Sequence, residues 1–137
     1  MTPEQIALVQ TSFKKVIPIT NETADTFYGR LFEVAPGVRP LFSDDMAEQK
    51  HKLMQTLSMV VTSLHHPEAI VPTVQDLGRR HVEYGAEVPH YDVVGGALIW
   101  TLQQKFGDEF TPELEEAWVA AYTLLATVMT EAAAEVE

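Results

Sequence analysis

The sequence predicts an all-α protein, and three observations support this fold class. Apolar residues recur at the three- and four-residue spacing of a helix along most of the chain. No stretch sustains an alternation of apolar and polar residues, and no Asn-Gly or Asp-Gly pair marks a β-hairpin. Prolines fall between the helical segments or at their first positions, where a missing amide donor is tolerated: Pro3, Pro18, Pro36, Pro40, Pro67, Pro72, Pro89 and Pro112.

The first helix is predicted from its start signal and its apolar stripe. Thr2 and Gln5 have the spacing of a capping box, and Pro3 occupies the first helical position. Apolar side chains then follow at helical spacing, which predicts one buried face: Ile6, Val9, Phe13 and Ile17.

Two further helices are predicted over residues 21–34 and 45–64, with a short turn over residues 36–42 between them. The first of the two buries Ala24, Phe27, Tyr28 and Leu31. The second carries Leu53, Leu57, Val60 and Leu64 on one face. His65-His66-Pro67 is predicted to end it, with both histidines exposed to solvent.

The last three helices are predicted over residues 73–84, 90–106 and 112–134. Gly85 is a plausible terminator of the shortest one. The final helix has the most regular apolar spacing: Leu114, Trp118, Ala121, Leu125 and Val128. Because short Pro-marked breaks join the helices and no heptad pattern is shared, we expect angled packing rather than an up-down bundle.

Composition bounds the class of protein. We expect one domain over residues 1–137, since this length encloses a sizeable core. The net charge of −11 argues against binding to nucleic acid or to an anionic membrane. The absence of cysteine excludes disulfides, thiolate metal sites and a cysteine nucleophile.

The sequence also predicts where the protein resides. The N-terminus lacks the basic and apolar regions of a secretory signal. The longest apolar helical stretch, residues 119–129, is about half as long as a membrane span. We therefore expect a cytoplasmic protein with no membrane partner.

Four polar side chains are predicted on or beside apolar helix faces, where an unpaired polar group costs about 1–3 kcal/mol. His81 follows Val74 and Leu77 at helical spacing, so its ring is either a core imidazole bonded to a carbonyl or a ligand for a metal. Gln49 lies on the stripe of Leu53 in the third helix and is either half-exposed or functional. The other two are aromatic and are either ordinary core tyrosines or site residues: Tyr28 and Tyr91.

The sequence gives little support for other kinds of active site. No carboxylate joins these faces, which argues against a hydrolytic acid–base pair or a di-iron site. No nucleophile elbow and no Gly-rich phosphate loop are present. Gly95 and Gly96 lie inside a predicted helix, where they indicate a close helix crossing.

Five segments resemble parts of a known family, in the same order and spacing. Residues 77–81 (Leu-Gly-Arg-Arg-His) and 90–95 (His-Tyr-Asp-Val-Val-Gly) resemble the proximal histidine helix and the following helix of flavohaemoglobin-type bacterial globins. Residues 26–32 resemble the distal tyrosine helix, residues 40–42 the corner with the haem-packing phenylalanine, and residues 117–122 the last helix. The sequence thus resembles single-domain bacterial haemoglobins with a distal Tyr and Gln.

This resemblance implies a globin fold, in which two layers of three angled helices surround a haem pocket, and a non-covalent haem b as cofactor. It implies that His81 is the axial iron ligand. Tyr28 and Gln49 would donate hydrogen bonds to a diatomic ligand such as dioxygen, nitric oxide or carbon monoxide. Phe42 would pack on the porphyrin, and Leu53 would limit the space for the ligand. Three further residues would contact the cofactor: Leu77, Tyr91 and Val94.

The function implied by the resemblance is reversible, high-affinity binding of dioxygen for transport or storage. The alternative is nitric oxide dioxygenation, or detoxification of peroxide, with a separate reductase, because the chain ends where the flavin domain of a flavohaemoglobin begins. The family's proximal glutamate falls at Ala133, and Glu131 lies on another face, which argues against both a peroxidase-like activity and the dioxygenase. A helical interaction module without haem is an alternative of another class.

Overall fold

The computed structural model describes residues 1–135 and, within them, consists of α-helices joined by short 3-10 turns. The all-α prediction is confirmed. Six α-helices are formed over this range: α1 (Pro3–Val16), α2 (Thr20–Val34), α3 (Ala47–Thr62), α4 (Val71–Glu83), α5 (Val88–Phe106) and α6 (Pro112–Ala134).

Helix α1 begins at the predicted capping box but buries a different last residue. The Gln5 amide donates to Thr2 Oγ1 at 3.1 Å, and the Thr2 amide donates to Gln5 Oε1 at 3.0 Å. Ile17 is 56% exposed, whereas Val16 is 1% exposed. The prediction for Ile17 was wrong because a 3-10 turn over Ile17–Ile19 begins there and changes the direction of the side chain.

Helix α4 ends at the predicted glycine. Gly85 has a φ of 90°, and its amide donates to the Val82 carbonyl at 3.1 Å. The next amide, of Ala86, donates to the His81 carbonyl at 2.9 Å. These two hydrogen bonds form a Schellman motif, so the C-terminal turn of the helix that carries His81 is well defined.

The six helices form two layers of three. Helices α1 and α4 pack on α6, while α3 packs on α2. The interface of α4 with α6 is the most extensive, and it depends on Gly78, since a Cβ at this position would collide with the Met129 backbone. Gly95 likewise faces the Tyr122 ring, whereas Gly96 has open space, so only one glycine of the predicted pair lies at a close crossing.

Helix α6 is apolar enough to resemble a membrane span by length and composition. An 18-residue window of this helix has a mean hydropathy of 1.3. The apolar stretch is therefore longer than residues 119–129, and the prediction of about half a membrane span was too short. Of this window, 33% is buried inside the protein, where α1 and α4 pack on the helix. One such helix is weak evidence for a membrane segment, because a core helix has the same composition.

Candidate functional site

The first polar group of the site is a pair formed by α2 and α3. Gln49 Nε2 donates a hydrogen bond to Tyr28 Oη at 3.0 Å. Tyr28 is 4% exposed, and this burial raises the pKa of its hydroxyl, although the Gln49 contact opposes the shift. Tyr28 is therefore a neutral phenol. Because its oxygen accepts from Gln49, its own proton is available to another acceptor.

The position of Gln49 follows from the start of α3. Asp45 Oδ1 accepts a hydrogen bond from the Ala47 amide at 3.0 Å, in an Asx turn that precedes the helix. This places Gln49 in the first helical turn, half-buried, as its sequence position predicts. The amide of its side chain can therefore reach Tyr28 without being enclosed in the core.

Aromatic rings surround the Tyr28 phenol. The ring centroids of Phe27, Phe42 and Phe32 lie 4.9, 5.7 and 5.9 Å from that of Tyr28. Phe32 and Phe42 also contact each other, with centroids 5.5 Å apart. Phe42, predicted to pack on a cofactor, is half-buried and thus forms part of an apolar wall beside the hydroxyl.

The second polar group lies on α4 and α5. His81 is half-buried, and its Nδ1 lies 2.7 Å from the Leu77 carbonyl oxygen. Because a carbonyl only accepts, Nδ1 carries the proton and Nε2 keeps its lone pair. Burial lowers the pKa of His81 against the opposing effect of this hydrogen bond, so the ring is neutral at pH 7. A carbonyl-bonded imidazole and a metal ligand are therefore compatible, since each role uses a different nitrogen.

Tyr91 lies beside this imidazole, with ring centroids 6.3 Å apart. Its hydroxyl oxygen is buried and has no hydrogen-bond partner among the described residues, and burial raises its pKa. Ala133 is buried at the position where the family resemblance places a glutamate. A nearby carboxylate, Glu135, instead pairs on the surface with Arg79 at 3.5 Å.

The predicted apolar residues of the site occupy three different helices. Leu53 on α3 and Val94 on α5 are half-buried and pack against the main apolar core. Leu77 on α4 is half-buried and accepts the His81 hydrogen bond. Within residues 1–135, no hydrogen bond or ring contact joins the Tyr28 pair to His81, so the structure places two separate polar groups around one core.

Two residues of this region were missed as site residues by sequence reasoning. Tyr122 on α6 donates to the Tyr91 backbone carbonyl at 2.6 Å, and its pKa is raised by burial and by the charges of Tyr91 and Asp92. Arg39 contacts the backbone after Phe42. Tyr122 belongs to the last-helix segment of residues 117–122 but carries no signal of a site residue, and no sequence pattern distinguishes Arg39 from a solvated surface arginine.

A surface groove of about 710 Å³ between α5 and α6 includes Tyr91 and Tyr122 in its lining but neither His81 nor Tyr28. It therefore borders the candidate site at Tyr91 and Tyr122 but does not contain either of its two polar groups as a whole. In the part of the chain that the structure describes, no three His, Asp or Glu side chains converge as a metal site. His81 is thus a lone candidate ligand, which fits a metal held mainly by a cofactor.

Two layers of three angled helices, with a lone half-buried histidine on α4 and a tyrosine–glutamine pair on α2 and α3, define the globin class of all-α proteins. The chain belongs to the globin family: the sequence model described as Globin matches residues 25–129. The resemblance of the sequence to bacterial globins is confirmed at the level of the globin family.

Individual relatives agree with this assignment. A flavohemoprotein of Bordetella parapertussis is 29% identical over 94% of this chain and 33% of its own length, so the chain spans about a third of such relatives. Leghemoglobin-1 of Lupinus luteus is 29% identical over 94% of this chain and 93% of its own. An engineered carbene transferase from a Rhodothermus marinus protein, provisionally assigned as a nitric oxide dioxygenase, matches with a TM-score of 0.90 and 26% identity over 99% of this chain and 95% of its own.

Proposed function

We propose that the protein binds one haem b through His81 and binds dioxygen reversibly, with Tyr28 and Gln49 as the hydrogen-bonding residues for the gas. The observation that supports this most directly is the 3.0 Å hydrogen bond from Gln49 to Tyr28. It occupies the phenol oxygen and leaves the phenol proton as a donor in an aromatic, water-poor surrounding.

The residues present fit a haem. Nε2 of His81 has the free lone pair that a ligand of haem iron would need, and burial, which lowers the pKa of the ring, favours the unprotonated form. The buried Tyr91 hydroxyl beside it, unpartnered among residues 1–135, is a polar atom to which another group can bind. A bound haem supplies the iron at which diatomic gases bind.

Tyr28 and Gln49 would determine which gas is held tightly. Dioxygen accumulates negative charge on binding and carbon monoxide much less, so a preorganised donor favours dioxygen. Because the rings of Phe27, Phe32 and Phe42 restrict the Tyr28 phenol, little reorganisation is needed when the gas binds. Leu53, on the same helix as Gln49, would limit the space beside the gas.

Nitric oxide dioxygenation, with electrons from a reductase, is the second candidate, and the flavohemoprotein and Rhodothermus relatives favour it. The hydrogen bond of His81 favours oxygen binding instead. Its Nδ1 donates to the neutral Leu77 carbonyl, which makes the imidazole less electron-donating than a carboxylate partner would.

The test is optical. The purified protein should give the pyridine haemochrome spectrum of haem b, and repeated cycles of oxygenation and evacuation should restore the deoxy spectrum. Nitrate is then measured with nitric oxide, NADH and a flavin reductase. Sustained nitrate formation coupled to NADH oxidation would establish the dioxygenase, and a colourless protein would indicate the helical interaction module.

A further inference from the structure

Arg39 contacts the backbone of residues 42–44 through its guanidinium group. It lies in the 3-10 turn Pro36–Leu41, and its Nη1 donates to the Ser43 carbonyl at 2.9 Å. Longer contacts reach the Phe42 carbonyl from Nη1 at 3.4 Å and the Asp44 carbonyl from Nη2 at 3.3 Å. One guanidinium thus contacts three consecutive carbonyl groups.

The segment bound by Arg39 has little regular structure of its own. Residues 42–46 lie between the 3-10 turn and α3 and belong to no helix. The Phe42 amide donates to the Arg39 carbonyl at 3.1 Å, so Arg39 contacts Phe42 through its backbone as well as its side chain. Arg39 therefore contacts Phe42 at both its amide and its carbonyl group.

Arg39 reaches Tyr28 by two routes. Its guanidinium carbon lies 5.1 Å from the centroid of the Phe32 ring, in a cation–π contact. Phe32 and Phe42 both pack against Tyr28, with centroids 5.9 and 5.7 Å away. These contacts connect Arg39, through Phe32 and Phe42, to the ring whose hydroxyl accepts the Gln49 hydrogen bond.

We propose that Arg39 is a positioning residue of the distal pocket, holding the backbone of residues 42–44 and the Phe32 ring so that Phe42 stays packed against Tyr28. This proposal rests on the proposed gas-binding function. A planar fork of donors is needed to span several carbonyls, and a lysine ammonium lacks it. Geometry rather than charge is therefore the property that counts.

The test compares Arg39→Met and Arg39→Lys with the wild type and with Arg30→Lys as the matched control. Arg30 also stacks on an aromatic ring, that of Trp100 at 4.7 Å, but does not contact residues 42–44. The readouts are the infrared C–O stretch of the carbon monoxide complex, which reports hydrogen bonding to the bound gas, and the oxygen dissociation rate. Thermal unfolding monitors the fold.

Both Arg39 variants should shift part of the C–O band to higher frequency and raise the oxygen dissociation rate roughly fivefold, as a partly lost hydrogen bond would. Arg30→Lys should match the wild type. In a Tyr28→Phe background, Arg39→Met should add little, because its effect passes through Tyr28.

A lower melting temperature with an unchanged band and dissociation rate would overturn the proposal, since Arg39 would then stabilise the fold alone. So would full rescue by Arg39→Lys, which would make charge the relevant property. A wild-type chain without a haem spectrum overturns the proposed function together with this one. A normal wild-type spectrum with unaffected Arg39 variants overturns only the role of Arg39.

Discussion

Gln49 Nε2 and Tyr28 Oη lie 3.0 Å apart, although the residues are 21 positions apart and belong to different helices. The direction of this hydrogen bond matters more than its presence. Since the amide donates, the Tyr28 oxygen is an acceptor and its own proton can be given to a ligand. We therefore expect the two residues to act as a unit, with Tyr28 as the direct donor to a bound gas.

Tyr28→Phe should raise the oxygen dissociation rate about tenfold or more, because a hydrogen bond to a partly charged acceptor contributes about 1.5–3 kcal/mol. Stopped-flow displacement of oxygen by carbon monoxide measures the rate. Tyr84→Phe is the matched control, since Tyr84 is exposed and lies near His81 rather than Gln49. An unchanged rate in Tyr28→Phe would remove the assigned role.

Gln49→Leu should raise the same rate by a smaller factor, about three- to fivefold, because it removes the contact that orients Tyr28. In a double-mutant cycle with Tyr28→Phe the two effects should be less than additive. Strict additivity would show that the two side chains act on the gas independently.

Gly78→Ala should destabilise the fold by about 1–3 kcal/mol, since the added Cβ meets the Met129 backbone, which cannot move aside by changing rotamer. Gly96→Ala is the matched control within a helix. Its Cβ meets no atom within 4 Å, so it should stabilise the protein by about 0.5–1 kcal/mol. Thermal or urea unfolding tests both, and equal effects would contradict the described crossing of α4 and α6.

Tyr122→Phe should alter the alkaline stability of the protein. Burial, with the charges of Tyr91 and Asp92, raises the pKa of the Tyr122 hydroxyl above its ordinary value of 10.0 in the folded state. Above pH 10 the unfolded chain loses this proton before the folded protein does. The contribution of Tyr122 to the free energy of unfolding is therefore fully present below pH 10 and decreases as the pH rises.

The variant should lose about 1 kcal/mol at pH 7, with the hydrogen bond to the Tyr91 carbonyl, and should decline less steeply above pH 10. Urea unfolding at pH 8, 10 and 11 compares the slopes. Parallel declines in wild type and variant would show that Tyr122 titrates normally in the fold.

Much of the fold was predictable because its signals are local. The capping box of Thr2 and Gln5, the stripe of α2 and the terminator Gly85 each depend on residues within a few positions of one another. Ile17 was misplaced because a 3-10 turn interrupts the helical period there, and proline at the next position is compatible with either structure.

The site was predictable in its residues but not in its connections. Helical spacing put Tyr28, Gln49 and His81 on inward faces, yet the donor in the Gln49–Tyr28 pair and the carbonyl partner of His81 depend on side-chain geometry. The contacts of Arg39 depend on the path of an irregular segment. The need for glycine at position 78 depends on how closely the backbone of α6 approaches α4. Neither follows from a local pattern.

The central claim is that Nε2 of His81 ligates haem iron, and the absorption spectrum of His81→Ala tests it most directly. We expect the variant to lose its haem or to keep it with an altered spectrum. Imidazole at about 10 mM, which is enough to occupy a weak binding site left by the missing ring, should restore the wild-type bands. A variant purified with an unchanged spectrum before imidazole is added would contradict the claim.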